Sequence, residues 1–113
     1  TFEQLIANNY LTYFTYYANN PQNYALTRSN RGRDGANVNL EGPQVKAGLA
    51  EMQIDIEQAM ALGRVSKVDA AMLTAAVGGV AFSLLDDMMQ RDTANPEAAA
   101  AFATRLFMSG ISS

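Results

Sequence analysis

Glu51 and Asp55 stand four residues apart, a spacing that puts two carboxylates on one helical face, as a metal site or an acid/base pair would need. Glu57 and Gln58 follow, but the chain holds no histidine to complete a helical di-metal motif. It also holds no cysteine, which together with the missing histidine removes thiol nucleophiles, disulfides, the usual zinc ligands and any Ser-His-Asp triad. Asp86 and Asp87 are adjacent, so they diverge around a helix and make no pair. Ser66 has no base in view and reads as a helix cap. The acidic residues read as a solvated face, and no enzyme, metal or cofactor is expected.

Binding is better served than catalysis. Tyr10, Tyr13, Tyr16 and Tyr17 give one helix an apolar wall with polar tips, suited to a pocket that needs apolar contact and a few hydrogen bonds. Asn9 falls between Leu5, Ile6, Tyr13 and Tyr16, and a buried amide there must meet a backbone group, a hydroxyl, water or a ligand. Met52, Met60 and Met72, with Ile56 and Phe82, could face the same cavity, since methionine adapts to irregular space. The expected ligand-binding set is Asn9, Tyr10, Tyr13, Tyr17, Met52, Ile56, Met60, Met72 and Phe82. A satisfied core asparagine and ordinary packing explain the same pattern, and both readings stand at this point. Arg28, Arg31 and Arg33 form a small basic cluster that reads as solvated, with anion binding as its alternative.

The elements that position these residues are helical. Apolar residues from Phe2 to Tyr17 recur every three or four positions, and Asn19-Asn20-Pro21 ends that helix. Pro21 suits the first turn of a short helix to about Arg28, with Asn20 as cap. Ser29 to Pro43 reads as a glycine- and asparagine-rich loop. Helical periodicity returns from Pro43 to Leu62, and Gly63 sits where a left-handed C-terminal cap belongs. Ser66 and Asp69 resemble a capping box for the longest helix, to about Gln90. Asn95-Pro96-Glu97 opens the last helix, which runs to about Ser109. The expected fold is all-α: a five-helix bundle.

The last two helices look apolar all round. At about 100° per residue, Val68, Met72, Ala75, Gly79 and Phe82 share one side of the longest helix. Leu73, Val77, Val80, Leu84 and Met88 lie nearly opposite. The final helix shows Ala99, Phe102, Ala103 and Leu106 on one stripe, with Ala101, Arg105 and Met108 across from it. A surface helix of a monomer has one polar face. A homodimer is therefore expected, with these two helices from each subunit forming a four-helix interface through Leu73, Val77, Val80, Leu84, Met88, Ala101, Arg105 and Met108. A central helix buried in its own bundle is the alternative for the longer of the two.

Composition sets the bounds. The 113 residues fit one domain, and 49% hydrophobic against 17% charged residues is the balance of a packed globule. Eight basic and eleven acidic residues leave a net charge of −3, which gives no general attraction to nucleic acid. The weakly polar run Ala70–Leu85 is shorter than the roughly 20 apolar residues of a membrane span. With no basic-then-apolar leader pattern, the chain is expected to be soluble and cytoplasmic, without membrane contact.

The stretch from Gly63 through Asp69 into Ala70–Met89, followed by Asn95-Pro96-Glu97 and a helix closing at Gly110, resembles the C-terminal half of Tet-repressor-like (TetR family) bacterial transcription regulators. Tyr17-Ala18-Asn19-Asn20-Pro21 is similar to the same family, where an aromatic helix leads through an Asn-Pro step into a short helix. The resemblance implies an effector-sensing and dimerisation domain, residues 1–113. An unidentified small molecule entering the helical core would change the geometry between two subunits and relieve DNA binding by an N-terminal helix-turn-helix head. That head is expected to be missing from this chain, so DNA contact belongs to a full-length parent. A standalone helical dimerisation or adaptor module with no small-molecule site is the alternative.

Overall fold

The computed structural model describes residues 1–26 and 43–109. They form five helices: α1 (Phe2–Asn19), α2 (residues 21–26), α3 (Pro43–Ala61), α4 (Ala70–Gln90) and α5 (Pro96–Met108). No strand occurs among the described residues, and the fold is all-α as the periodicity implies. The glycine-rich loop and the Arg28, Arg31 and Arg33 cluster fall outside the described residues.

Local chemistry sets the helix ends. Thr1 and Gln4 form a capping box: Thr1 Oγ1 accepts from the Gln4 amide at 3.2 Å, while the Gln4 side chain accepts from the Thr1 nitrogen at 3.1 Å. Asn20 turns its side-chain amide back onto α1, donating to the Tyr16 carbonyl at 2.7 Å. After α3, Gly63 adopts φ +74°, its N–H donates to the Met60 carbonyl and the Arg64 N–H donates to the Ala59 carbonyl. These two bonds are a Schellman motif, and glycine meets its left-handed position without a Cβ clash. Asn95 Oδ1 accepts from the Ala98 amide at 3.0 Å, with Pro96 in the first turn and Glu97 near the positive end of the dipole.

One cap differs from the sequence expectation. Asp69, not Ser66, caps α4: its Oδ1 accepts from the Met72 amide at 3.0 Å and its carbonyl from the Leu73 amide. Both residues are good caps by type. The helix begins where three successive residues after the cap are helix formers, and Ala70-Ala71-Met72 meets that condition better than Lys67-Val68-Asp69.

The chain folds as two compact units. One joins Thr1–Pro21 to the chain from Val80 onward; the other lies between Gln22 and Gly79. In the first, α1 packs along α5. Its core holds Ile6, Tyr10, Phe14 and Tyr17 of α1, Phe82, Leu85 and Met88 of α4, and Ala100 and Ala103 of α5. Phe14, Ile6 and Leu85 are fully buried, each contributing about 1.5–3 kcal/mol of transfer free energy. Thr104 is buried too, and its hydroxyl donates to the Ala100 carbonyl at 2.7 Å, so its burial leaves the donor satisfied.

The second unit buries Tyr24 of α2, Met52, Ile56 and Ala59 of α3, and Thr74 and Val77 of α4. The Thr74 hydroxyl donates to the Ala70 carbonyl at 2.8 Å. Gly78 lies against Leu49, where an added Cβ would meet the Leu49 side chain at 3.1 Å. A small residue at this point is what lets α3 and α4 approach.

Within α4 the buried residues Thr74, Val77, Gly78, Phe82, Leu85 and Met88 share one face. Met72, Ala75, Ala76, Ser83 and Asp87 form the exposed flank. The buried residues thus occupy one arc, and the exposed flank is itself largely apolar in Met72, Ala75 and Ala76. Val77 is sheltered within the second unit, and Phe82 and Met88 within the first. Thr74 is polar, and its hydroxyl, bonded to the Ala70 carbonyl, lets it stand as an inner residue.

Candidate functional site

The aromatic residues of α1 do converge, on two rings beyond those expected. Tyr10 stacks on Phe14 at 5.7 Å between ring centroids and 17° between planes, and on Phe107 at 6.3 Å and 19°. Tyr13 meets Phe14 edge-on at 5.6 Å, Tyr17 at 5.2 Å and Phe82 at 6.4 Å. Tyr16 touches Tyr17 at 5.1 Å but stays 49% exposed. Offset and edge contacts at these separations are favourable ring geometries. Of the expected ligand-binding set, Tyr10, Tyr13, Tyr17 and Phe82 are thus gathered in the first unit. Burial pushes the Tyr10 phenol above the ordinary tyrosine range, because the phenolate would lose its hydration.

Phe14 and Phe107 went unmarked by the sequence reading. Phe14 is four residues from Tyr10 and fully buried, and including it turns the inner arc of α1 onto Ile6, Tyr10, Phe14 and Tyr17. That rotation carries Asn9 off the core. Asn9 is exposed, and its Nδ2 donates to the Leu5 carbonyl at 2.7 Å, one turn back along its own helix. The expectation of a buried amide amid the tyrosines is corrected accordingly.

The remaining expected pocket residues lie in the other unit. Met52 and Ile56 are buried in its core and Met60 is half-buried. Met72 is 70% exposed on the outer flank of α4, which corrects its assignment to an inward face. Glu51 is exposed and Asp55 half-buried, and the described residues contain no group of three or more metal-ligating side chains. Asp87 pairs with Arg91 at 2.8 Å, an exposed i,i+4 contact of small energetic weight.

The expected interface residues divide. Val77 and Met88 are 5% and 3% exposed, so their cover comes from their own chain. Leu73, Val80 and Leu84 are half-buried, whereas Ala101, Arg105 and Met108 are exposed on α5. Phe102 belongs with the latter group: it is 56% exposed, although the expected stripe sets it with Ala99, Ala103 and Leu106 across from them. The buried side of α5 is formed by Ala100, Ala103 and Thr104, with the half-buried Phe107 ring stacked on Tyr10 further along the helix.

Two open grooves flank α5. One, of about 510 Å³, runs between α1 and α5 past Ala7, Leu11, Glu97, Arg105 and Met108. The other, of about 440 Å³, lies between the end of α4 and α5, with Leu84, Met88, Ala98, Ala99 and Phe102 as its apolar lining. Asp87, Arg91 and Asn95 form its polar edge.

Helix α4, at 21 residues, is long and apolar enough to cross a membrane by length and composition, with 39% of its most apolar window buried within the chain. The helix ends at Gln90, as its periodicity implies, five residues past the weakly polar run Ala70–Leu85. No protein-family model matches the chain, and neither a curated protein nor a solved structure matches it.

Proposed function

We propose that the chain is the effector-sensing and dimerisation domain of a Tet-repressor-like bacterial transcription regulator. The observation that carries this reading is the outer face of α5. Ala98, Ala101, Phe102 and Met108 remain exposed there although the opposite face is closely packed. An apolar helix face of this kind is the sort of surface a partner covers. Two copies would set the spacing of DNA-binding heads carried by a longer parent, and the acidic domain itself would contribute no DNA contact.

In this reading the effector enters beside the Tyr10, Tyr13, Tyr17 and Phe82 rings and displaces some of their mutual contacts. Tyrosine hydroxyls would orient its polar groups while the rings supply apolar contact. The effect on DNA binding is a coupling free energy between two sites, typically about 1–3 kcal/mol. Localisation in the cytoplasm fits the same reading: α4 carries Asp86 and Asp87 and buries Phe82, Leu85 and Met88 in a protein core, as a soluble bundle helix does.

The ring stacking favours a second reading, a helical dimerisation or adaptor module without a small-molecule site. Tyr10, Tyr13, Phe14, Tyr17 and Phe82 already satisfy one another at packing distance. A thermal-shift screen of apolar and aromatic metabolites against the purified chain separates the two. The sensor reading expects a stabilising compound whose effect Tyr13→Ala weakens. A screen without any stabiliser, together with retained dimerisation, selects the adaptor.

A further inference from the structure

We propose that a second copy of this chain packs antiparallel on α5 about a two-fold axis at Ala101, each Phe102 ring seated in the other copy's α4–α5 groove. The inference rests on the dimer reading above and specifies its register. The first support is charge. Glu97 and Arg105 lie four residues before and four after Ala101, and all three are exposed. Two helices crossing antiparallel at Ala101 bring each Glu97 opposite the partner's Arg105, so one acidic and one basic residue per copy yield two ion pairs. A parallel pairing in the same register sets Glu97 against Glu97 and Arg105 against Arg105. The sequence order of charge on this face therefore selects the antiparallel two-fold.

The second support is shape. Ala98 and Ala101 place no bulk at the crossing, so the helices can approach at about 8 Å, the near end of interaxial distances. Phe102, 56% exposed, stands beside the axis. In the antiparallel register it lies level with the partner's Ala100, next to Ala98 and Ala99, two lining residues of the 440 Å³ groove whose apolar wall continues to Leu84 and Met88. The contact is isologous: each copy supplies one ring and one groove. The polar edge of the groove brings no unpaired charge from Asp87, which already holds Arg91 at 2.8 Å.

Cysteine cross-linking of the full chain tests the register, because the protein has no cysteine of its own. Ala101→Cys puts the only thiol on the axis, within the Cα separation of about 4.4–6.8 Å that a disulfide spans. Mild oxidation is expected to convert most of this variant to a covalent dimer, while Glu57→Cys, on the exposed side of α3, stays uncross-linked. In parallel, Glu97→Arg is expected to weaken self-association about tenfold, and adding Arg105→Glu to restore it. A dimer that neither cross-links through Ala101→Cys nor responds to Glu97→Arg overturns the register and leaves the dimer reading standing. A chain that is monomeric at every concentration overturns both.

Discussion

Tyr10 of α1 and Phe107 of α5 lie stacked, 6.3 Å apart and 19° from parallel, and the pair ties the first helix of the chain to the last. Tyr10 is 2% exposed and Phe107 half-buried, so the contact sits at the margin of the core. A double-mutant cycle with Tyr10→Leu and Phe107→Leu, read by urea unfolding, is expected to give a coupling of about 0.5–1.5 kcal/mol. Additive losses would mean that the rings pack independently.

Tyr10 also carries a pH signature. Its folded pKa is raised by burial, whereas the unfolded chain ionises near the ordinary value of about 10. The unfolded state therefore releases the proton first, and stability is insensitive to this group below about pH 10 and falls as pH rises above it. Urea midpoints measured between about pH 8 and about pH 11 should drop less for Tyr10→Phe than for the parent protein. Equal slopes for the two proteins would contradict the buried phenol.

The caps of α4 discriminate between two neighbouring residues. Asp69→Ala is expected to cost about 1 kcal/mol, the usual loss of an N-cap side chain. Ser66→Ala should stay within about 0.5 kcal/mol, as for an ordinary surface position. Reversal of this order in chemical denaturation would move the helix start to Ser66.

Gly78 and Gly79 give a paired test of packing in α4. Nothing lies within 4 Å of a Cβ added at Gly79, so Gly79→Ala is expected to stabilise by about 0.5–1 kcal/mol through helix propensity. Gly78→Ala carries the same propensity gain but presses on Leu49 at 3.1 Å, so its net gain should be smaller or reversed. Equal midpoint shifts would show that α3 and α4 have slack at this point.

The helices and most of their ends were legible because periodicity, proline at a first turn and glycine at a left-handed cap are local signals. Gly63, Asn95 and Pro96 all act as their types suggest. Which face each helix buries was less legible, since a helical wheel weights residue type and not partners. Phe14 was overlooked beside four tyrosines, and that omission pulled Asn9 into an inner position it does not hold. Thr74 and Thr104 are inner residues because each hydroxyl finds a carbonyl one turn back, a satisfaction invisible to a count of apolar positions. Phe102 faces outward because α5 turns Ala100, Ala103 and Thr104 inward, and the ring it sets against α1 is Phe107, stacked on Tyr10.

Sedimentation equilibrium of the purified chain across a wide concentration range tests most directly whether a second copy covers the outer face of α5. The proposed sensing domain gives twice the chain mass, and Phe102→Asp shifts the equilibrium to single chains while the helical circular-dichroism signal persists. A single-chain mass at all concentrations, or an unchanged dimer in Phe102→Asp, contradicts it.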